Sequence, residues 1–253
     1  MNRAVLVTGG AKRLGAAIAR ACATAGWQVV IHYGTSEEEA RALAAEIGGA
    51  AVRGDLANVA ELDAMFDRAR AAAGGRVHAL VNSASQFEED RPERIDPALA
   101  LRLYTVNSVA PAMLAAALAR QADLDHGCVV NLLDQKLANP NPDFFSYTLT
   151  KYALSGATEM MAMAHAPRVR VNAVAPGLTL PSGDQSAAEF EQVASDNLLH
   201  RPVGADQVAA AVVYMLDARS VTGQTLHVDS GQRFLKREGD VMYKNREQAA
   251  SRG

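Results

Sequence analysis

Short apolar runs recur along the chain and alternate with longer alanine-rich stretches whose apolar positions repeat at helical spacing. The runs Ala4–Val7, Gln28–Tyr33, Ala51–Arg53, Ala79–Asn82, Cys128–Leu133, Arg170–Ala175 and Thr225–Val228 predict strands. Between them, Leu14–Ala25, Glu37–Ile47, Ala60–Ala73, Pro97 to about Leu118, Thr150–His165, Gln185–Asn197 and Asp206–Leu216 predict helices. Ser36 followed by Glu39 has the spacing of a capping box. Pro111 predicts a kink or a boundary within its helix. Strands that are apolar throughout, rather than alternating, are covered on both faces, which is the habit of parallel sheets. Right-handed crossovers then place helices on both sides. The expectation is an α/β protein: a single-domain, Rossmann-like doubly wound parallel sheet of about seven strands flanked by helices. It should occupy residues 1–235, leaving a charged tail, 236–253, for subunit contacts or motion.

Composition narrows the function classes. A chain of 253 residues with 49% hydrophobic and 21% charged residues is that of an ordinary soluble domain with a full core. A net charge of −3 removes the basic surplus that nucleic-acid binding draws on. Cys22 and Cys128 belong to no CxxC pair and read as buried free thiols, which suits a reducing cytoplasm. Met1 leads directly into the first strand with no signal-peptide pattern, and no apolar stretch is expected to reach a membrane span of about 18 residues. The histidines at 32, 78, 126, 165, 200 and 227 show no HxxxH or HExxH spacing, so no metal site is expected. Neither a nucleic acid nor a membrane is thus expected as a partner.

The first strand runs into Thr8-Gly9-Gly10-Ala11-Lys12-Arg13-Leu14-Gly15. A glycine turn between strand and helix turns backbone N–H groups, at the positive end of the helix dipole, toward a pyrophosphate. Gly9 suits the tight turn and Gly15 the close approach of helix to strand. Arg13 stands where such turns often carry a middle glycine, and its planar fork suits a phosphate. The second strand ends His32-Tyr33-Gly34-Thr35-Ser36, without the carboxylate that would bind a ribose 2′-hydroxyl. With Lys12 and Arg13 nearby, a 2′-phosphate is the better guest. NADPH is therefore expected to bind at least tenfold tighter than NADH, about 1.4 kcal/mol. Glu37–Glu39 oppose a phosphate if they face it, and otherwise are first-turn acids favoured by the helix dipole. Tyr147 and Lys151 are four residues apart, hence on one helical face. An ammonium beside the phenol is expected to lower its pKa from about 10, so that it exchanges a proton with a carbonyl or imine.

In order along the chain, Thr8–Gly15, Asn82-Ser83-Ala84, Asn107, Tyr147–Lys151 and Pro176-Gly177 resemble the short-chain dehydrogenase/reductase family over residues 3 to about 235. The resemblance implies that Tyr147 is the general acid/base and that Lys151 binds the nicotinamide ribose and tunes Tyr147. It implies that Asn107 helps hold a relay water, that Asp55 sits near the adenine, and that Asn82 and Ala84 line the cofactor. Where the family usually has a serine, thirteen residues before the tyrosine, this chain has Asp134. A carboxylate is a poor partner for a carbonyl oxygen unless protonated, and a good one for ring N–H or amino groups. That variant resembles the pteridine reductase and dihydromonapterin reductase branch. The likeness extends to Lys12-Arg13-Leu14-Gly15, His32-Tyr33, Asp55-Leu56-Ala57-Asn58-Val59 and Asn82 to Phe87.

By that likeness the cofactor, NADPH, would be held by Gly9, Lys12, Arg13, Leu14, His32, Tyr33, Ser36, Asp55, Leu56, Asn82, Ala84, Ser85, Lys151, Pro176 and Gly177. Arg13, Ser85, Phe87, Asp134, Tyr147 and Leu178 would meet the substrate, with Phe87 stacked on a flat pterin ring. Gly34-Thr35 replaces an arginine that some pteridine reductases use on the 2′-phosphate, which throws that task onto Arg13, His32 and Ser36. The stretch Leu178–Pro202, with Pro181 and Gly183, is expected to cover the substrate as a mobile loop. Family likeness also implies a homotetramer through the Asn107 helix and the Thr150–His165 helix. Two rivals stand beside the pterin reading: an NADPH ketoreductase acting on an acyl carrier or small carbonyl compound, and a cofactor-binding scaffold without catalysis. Asp134 speaks against the first, and the intact Asn107, Tyr147 and Lys151 against the second.

Overall fold

A computed structural model describes residues 3–181, 185–236 and 239–240. Seven parallel strands form one sheet in the order β3-β2-β1-β4-β5-β6-β7. The strands are β1 Ala4–Thr8, β2 Gln28–Tyr33, β3 Ala50–Arg53, β4 Ala79–Asn82, β5 Gly127–Leu132, β6 Val169–Pro176 and β7 Thr225–Val228. The helices are α1 Arg13–Thr24, α2 Glu37–Glu46, α3 Leu62–Ala72, α4 Pro97–Tyr104, α5 Ala110–Arg120, α6 Phe145–His165, α7 Ala187–Ala194 and α8 Ala205–Asp217.

Successive side chains of a strand point to opposite faces, and β1 supplies both cores this way. Val5 and Val7 pack with Ile18, Leu43, Val208 and Met215 on one side. Ala4 and Leu6 pack with Phe66, Leu80, Leu114 and Leu118 on the other. Every residue of β1 is buried, as its unbroken apolar run predicts. The strand order reverses between β1 and β4, so the loops after these two strands diverge to opposite faces and leave a crevice at the C-terminal edge.

Several local expectations give way to tertiary contacts. Ser36 makes no capping bond to helix α2, because its ψ of 60° is not the extended geometry that aims a cap side chain at the helix. Glu39 instead meets Lys12 at 2.6 Å. A capping box does form at Ser186 and Glu189, at the head of α7, which is shorter than the Gln185–Asn197 helix expected. The helical run from Pro97 breaks as a π-helical turn, Thr105–Val109, before α5. Pro111 has no N–H to give to the Asn107 carbonyl four residues earlier, so regular α-helix cannot pass through this point. Taken whole, Pro97–Arg120 is long and apolar enough to span a membrane by length and composition, contrary to the sequence reading. Its Leu103, Leu114 and Leu118 are fully buried in the protein. Gly183 and nearly all of the tail lie outside the described residues.

Candidate active site

The crevice at the strand ends is a cleft of about 640 Å³. Its floor is the glycine turn. Gly9 has φ +61°, and a Cβ there would come within 2.8 Å of the Ala84 backbone. A Cβ on Gly15 would stand 2.2 Å from the Gly9 carbonyl. Gly9 is thus required by its left-handed turn and by the Ala84 backbone, and Gly15 by the close approach of helix to strand. Thr8 locks the two loops together: its Oγ1 accepts from the N–H groups of Ser83 and Ala84, each at 3.1 Å. Arg13 holds a left-handed φ of 54° at the head of α1, and its guanidinium donates to the Pro181 carbonyl. Lys12, Arg13, Leu14, Ala84 and Ser85 all line the cleft.

His32 corrects its expected role. It is 2% exposed and absent from the cleft lining. Its Nδ1 accepts from the Gly9 N–H at 3.2 Å, and its Nε2 faces the Gly54 carbonyl at 3.2 Å. That pairing sets the tautomer: Nε2 carries the proton. Burial drives its pKa down to about 4, so it is neutral and cannot act as a phosphate-gripping cation. It organises the turn from behind. Tyr33 and Leu56 are likewise core residues, and Ser36 lies outside the cleft. Asp55 caps its own turn, accepting from the Ala57 N–H at 2.9 Å.

The cleft's far wall is built by β5 and α6. Helix α6 starts at Phe145, five residues before the expected start, which brings Tyr147 onto it. The early start has a tertiary cause. Asp90 accepts from the Ser146 N–H at 2.8 Å, and its backbone carbonyl accepts from the Phe145 N–H at 3.1 Å. Sequence reasoning missed Asp90, which no local pattern marks. Tyr147 Oη donates to Asp134 Oδ2 at 3.0 Å. Asp134 Oδ1 accepts from the Lys136 N–H at 2.8 Å, so both carboxylate oxygens are engaged. Lys151 Nζ donates to the Leu132 carbonyl at 2.8 Å and stands 5.6 Å from the centre of the Tyr147 ring.

Electrostatics here differ from the sequence expectation. Burial first, and then the Asp134 charge, push the Tyr147 phenol well above its ordinary value rather than below it. Burial also raises the Asp134 carboxyl, against the hydrogen bonds that would lower it. Burial lowers the Lys151 ammonium to about 8. Lys151 and the Asp134 carboxylate attract one another, but desolvation outweighs that attraction at both groups. Tyr147 thus keeps its proton at neutral pH and offers it to Asp134.

Phe87 lines the cleft, stacks on Phe144 with ring centres 4.0 Å apart, and meets the Tyr147 ring edge-on at 4.7 Å. Asn107 is fully buried. Its Oδ1 accepts from the Gln86 N–H at 2.8 Å, and its Nδ2 donates to the Gln86 carbonyl at 2.9 Å and to Thr150 Oγ1 at 3.2 Å. Its side chain therefore clamps the loop that carries Ser85 and Phe87. Asn82 bridges β4 to β5 through Asn131 at 2.8 Å and does not reach the cleft. Pro176, Gly177 and Leu178 form the rim. A Cβ on Gly177 would come within 2.8 Å of Asp229. Lys136, Gln135, Gln232 and Asp240 also line the cleft and were not foreseen.

These residues fit a nicotinamide dinucleotide. The glycine cradle leaves no room for side chains where a pyrophosphate would lie, and Lys151 and Tyr147 stand across from it on the same cleft. A parallel sheet with such a cradle at its switch point, facing a buried proton-donating phenol, defines an α/β oxidoreductase.

Comparison with known proteins gives the family. Residues 9–233 match the family described as enoyl-(acyl carrier protein) reductase. Pteridine reductase 1 of Leishmania tarentolae is 32% identical over 89% of this chain and 94% of its own length. The 3-oxoacyl-[acyl-carrier-protein] reductase FabG of Staphylococcus epidermidis is 31% identical over 91% of this chain and 99% of its own. The crystal structure of FolM alternative dihydrofolate reductase 1 from Brucella suis, in complex with NADP, superposes with a TM-score of 0.89. It shares 39% identity over 93% of this chain and 97% of that one. The chain belongs to the short-chain dehydrogenase/reductase family.

Proposed function

We propose that the protein is an NADPH-dependent reductase acting on a C=N bond of a pteridine ring, of the dihydropterin, dihydromonapterin or dihydrofolate type. The observation that carries this reading is the Asp134–Tyr147 hydrogen bond at 3.0 Å in a cleft edged by Phe87. The likeness to a pteridine reductase and to an NADP-bound alternative dihydrofolate reductase supports it. NADPH would lie along the Gly9–Gly15 cradle, with Lys12, Arg13, Ala84 and Ser85 beside it, and when bound it supplies a hydride.

The chain's own residues supply the proton and the positioning. Tyr147 holds a proton at Oη that its raised pKa keeps in place until a ring nitrogen becomes basic enough to take it. Asp134, whose carboxyl is also raised and which borders the cleft, passes a replacement proton from solvent to Oη along their hydrogen bond. Lys151, anchored to β5, fixes a positive charge against the phenol. Phe87, which lines the cleft, would stack on a planar ring, a contact worth about 0.5–1.5 kcal/mol beyond burial.

Similarity to FabG keeps the ketoreductase rival alive. The test is NADPH oxidation with dihydrobiopterin or dihydromonapterin against an acetoacetyl thioester. Turnover of the pterin is expected, and turnover of the thioester alone would overturn the reading. A homotetramer belongs to the same proposal. Exposed Leu101 and Tyr104 on α4, with Leu149, Tyr152, Met160 and Met163 on α6, supply apolar surface for it, and light scattering after gel filtration measures the mass.

A further inference from the structure

Tyr147 stands in the first turn of α6, two residues from its start, where helices are most prone to fray. The first N–H groups of a helix have no partner within it, and a side chain at the capping position usually accepts from them. Phe144 occupies that position with a left-handed φ of 52° and has no side-chain oxygen to offer. Asp90 takes over the task from the loop after β4. One of its carboxylate oxygens accepts from the Ser146 N–H at 2.8 Å, the other accepts from the Ser146 hydroxyl, and its backbone carbonyl accepts from the Phe145 N–H at 3.1 Å. A carboxylate also suits the positive end of the helix dipole. Asp90 follows Phe87 by three residues, and the Phe87 ring stacks on Phe144 and meets Tyr147 edge-on. Arg91 extends the same junction to Asp143, just ahead of the helix, at 2.9 Å. Asn107 holds both partners from the other side, through Gln86 on the loop and through Thr150, whose hydroxyl donates to the Tyr147 carbonyl at 2.6 Å.

We propose that Asp90 is a positioning residue: by capping α6 from the loop that carries Phe87, it sets the Tyr147 phenol and the Phe87 ring in register, so that the proton donor and the aromatic contact meet one substrate together. Asp90 is not part of the cleft lining and acts through Ser146 and Phe145. Removing its carboxylate strips the Ser146 N–H and hydroxyl of their partner, frees the first turn to fray, and lets Tyr147 Oη drift from Asp134, 3.0 Å away. A displacement of about 1 Å at a reacting group costs up to about a hundredfold in rate. The inference rests on Tyr147 as the proton donor of the proposed reaction, and it holds whichever substrate takes the proton.

The test is steady-state kinetics of the full chain with dihydrobiopterin, alongside NADPH titration. Asp90→Ala should lower kcat by about tenfold to a hundredfold and leave NADPH affinity within about twofold. Asp90→Asn keeps an acceptor for the Ser146 N–H and should recover kcat to within about threefold of the wild type. The signature of positioning is lost additivity: in a Tyr147→Phe background, which has no phenol to place, Asp90→Ala should cost less than about twofold more. Should Asp90→Ala fail to fold, Ser146→Ala, which removes only the hydroxyl's bond, serves the same cycle with a smaller loss. Wild-type kcat in whichever of the two folds, the full loss repeated in the Tyr147→Phe background, or an Asn variant as impaired as the Ala variant would each overturn the inference. The function reading fails separately. A wild type that turns over the acetoacetyl thioester and no pterin sinks the pteridine proposal, and the same Asp90 cycle then runs on the thioester.

Discussion

Replacing Lys151 by methionine should make the protein more stable at neutral pH while abolishing its activity. The ammonium is buried, 3% exposed, and its pKa falls to about 8 from 10.5. That fall corresponds to about 3 kcal/mol of penalty on the charged form in the folded state. The sign follows from linkage. Below pH 8 the lysine is charged in both states, so the folded protein bears the full penalty. Between about 8 and 10.5 the unfolded chain holds a proton that the fold has released, so stability rises with pH and the penalty disappears. Methionine fills nearly the same volume without the charge. It also loses the bond to the Leu132 carbonyl, a cost of about 1 kcal/mol. Lys151→Met should therefore gain about 2 kcal/mol at pH 7, and the gain should vanish and turn into a small loss by about pH 10.5. Urea unfolding of both proteins across that range reads the difference directly. A variant less stable at pH 7, or a difference that does not change with pH, would show that the ammonium is not held against its own desolvation. A stabilised, inactive variant is what a residue kept for chemistry looks like.

Other expectations follow from the same geometry. Tyr147→Phe should lower turnover by about 10²–10⁴-fold with NADPH affinity retained, which separates proton donation from binding in steady-state and titration measurements. Asp134→Ser should cost pterin turnover and raise activity on small carbonyl compounds, because a hydroxyl donates to a carbonyl oxygen and a carboxylate does not; a variant unchanged on both substrates would remove Asp134 from the mechanism. His32 stays neutral down to about pH 4, while the unfolded chain protonates near 6.5, so wild-type stability should fall by about 3 kcal/mol as pH drops through that window. His32→Asn should lack most of that loss in urea unfolding at pH 6.5 and pH 4. NADPH should bind at least about tenfold tighter than NADH in fluorescence titrations, and Glu39→Gln should widen the gap by freeing Lys12 from its ion pair.

The middle of the sheet was legible because β1, β4 and β5 are almost wholly apolar and buried on both faces, and such a strand has nothing to hide in a sequence. Tyr147 and Lys151 were legible from their four-residue spacing together with the family resemblance, and Asp134 from the resemblance alone, as the residue standing where the family usually has a serine. What the sequence concealed depends on partners far along the chain. Helix α6 begins at Phe145 because Asp90, 56 residues before Ser146, caps it. Glu39 abandons Ser36 because Lys12, from another loop, offers a charge. Neither choice is visible in a local window.

His32 shows why the error ran in one direction. A histidine beside a glycine turn and a basic loop reads as a cation facing a phosphate. In the folded sheet β1 and β2 lie side by side, and the Gly10 N–H bonds back to the His32 carbonyl at 3.1 Å. That contact turns the ring behind the turn, where burial takes its charge away. Lys136, four residues past β5, and Asp240, in the charged tail, carry no mark in the sequence. They pair at 3.1 Å, Lys136 buried and Asp240 half-buried, and both line the cleft. Charge at this site is thus decided by packing rather than by residue type. The ordinary cation candidate is neutral, and the phenol holds its proton more firmly instead of less.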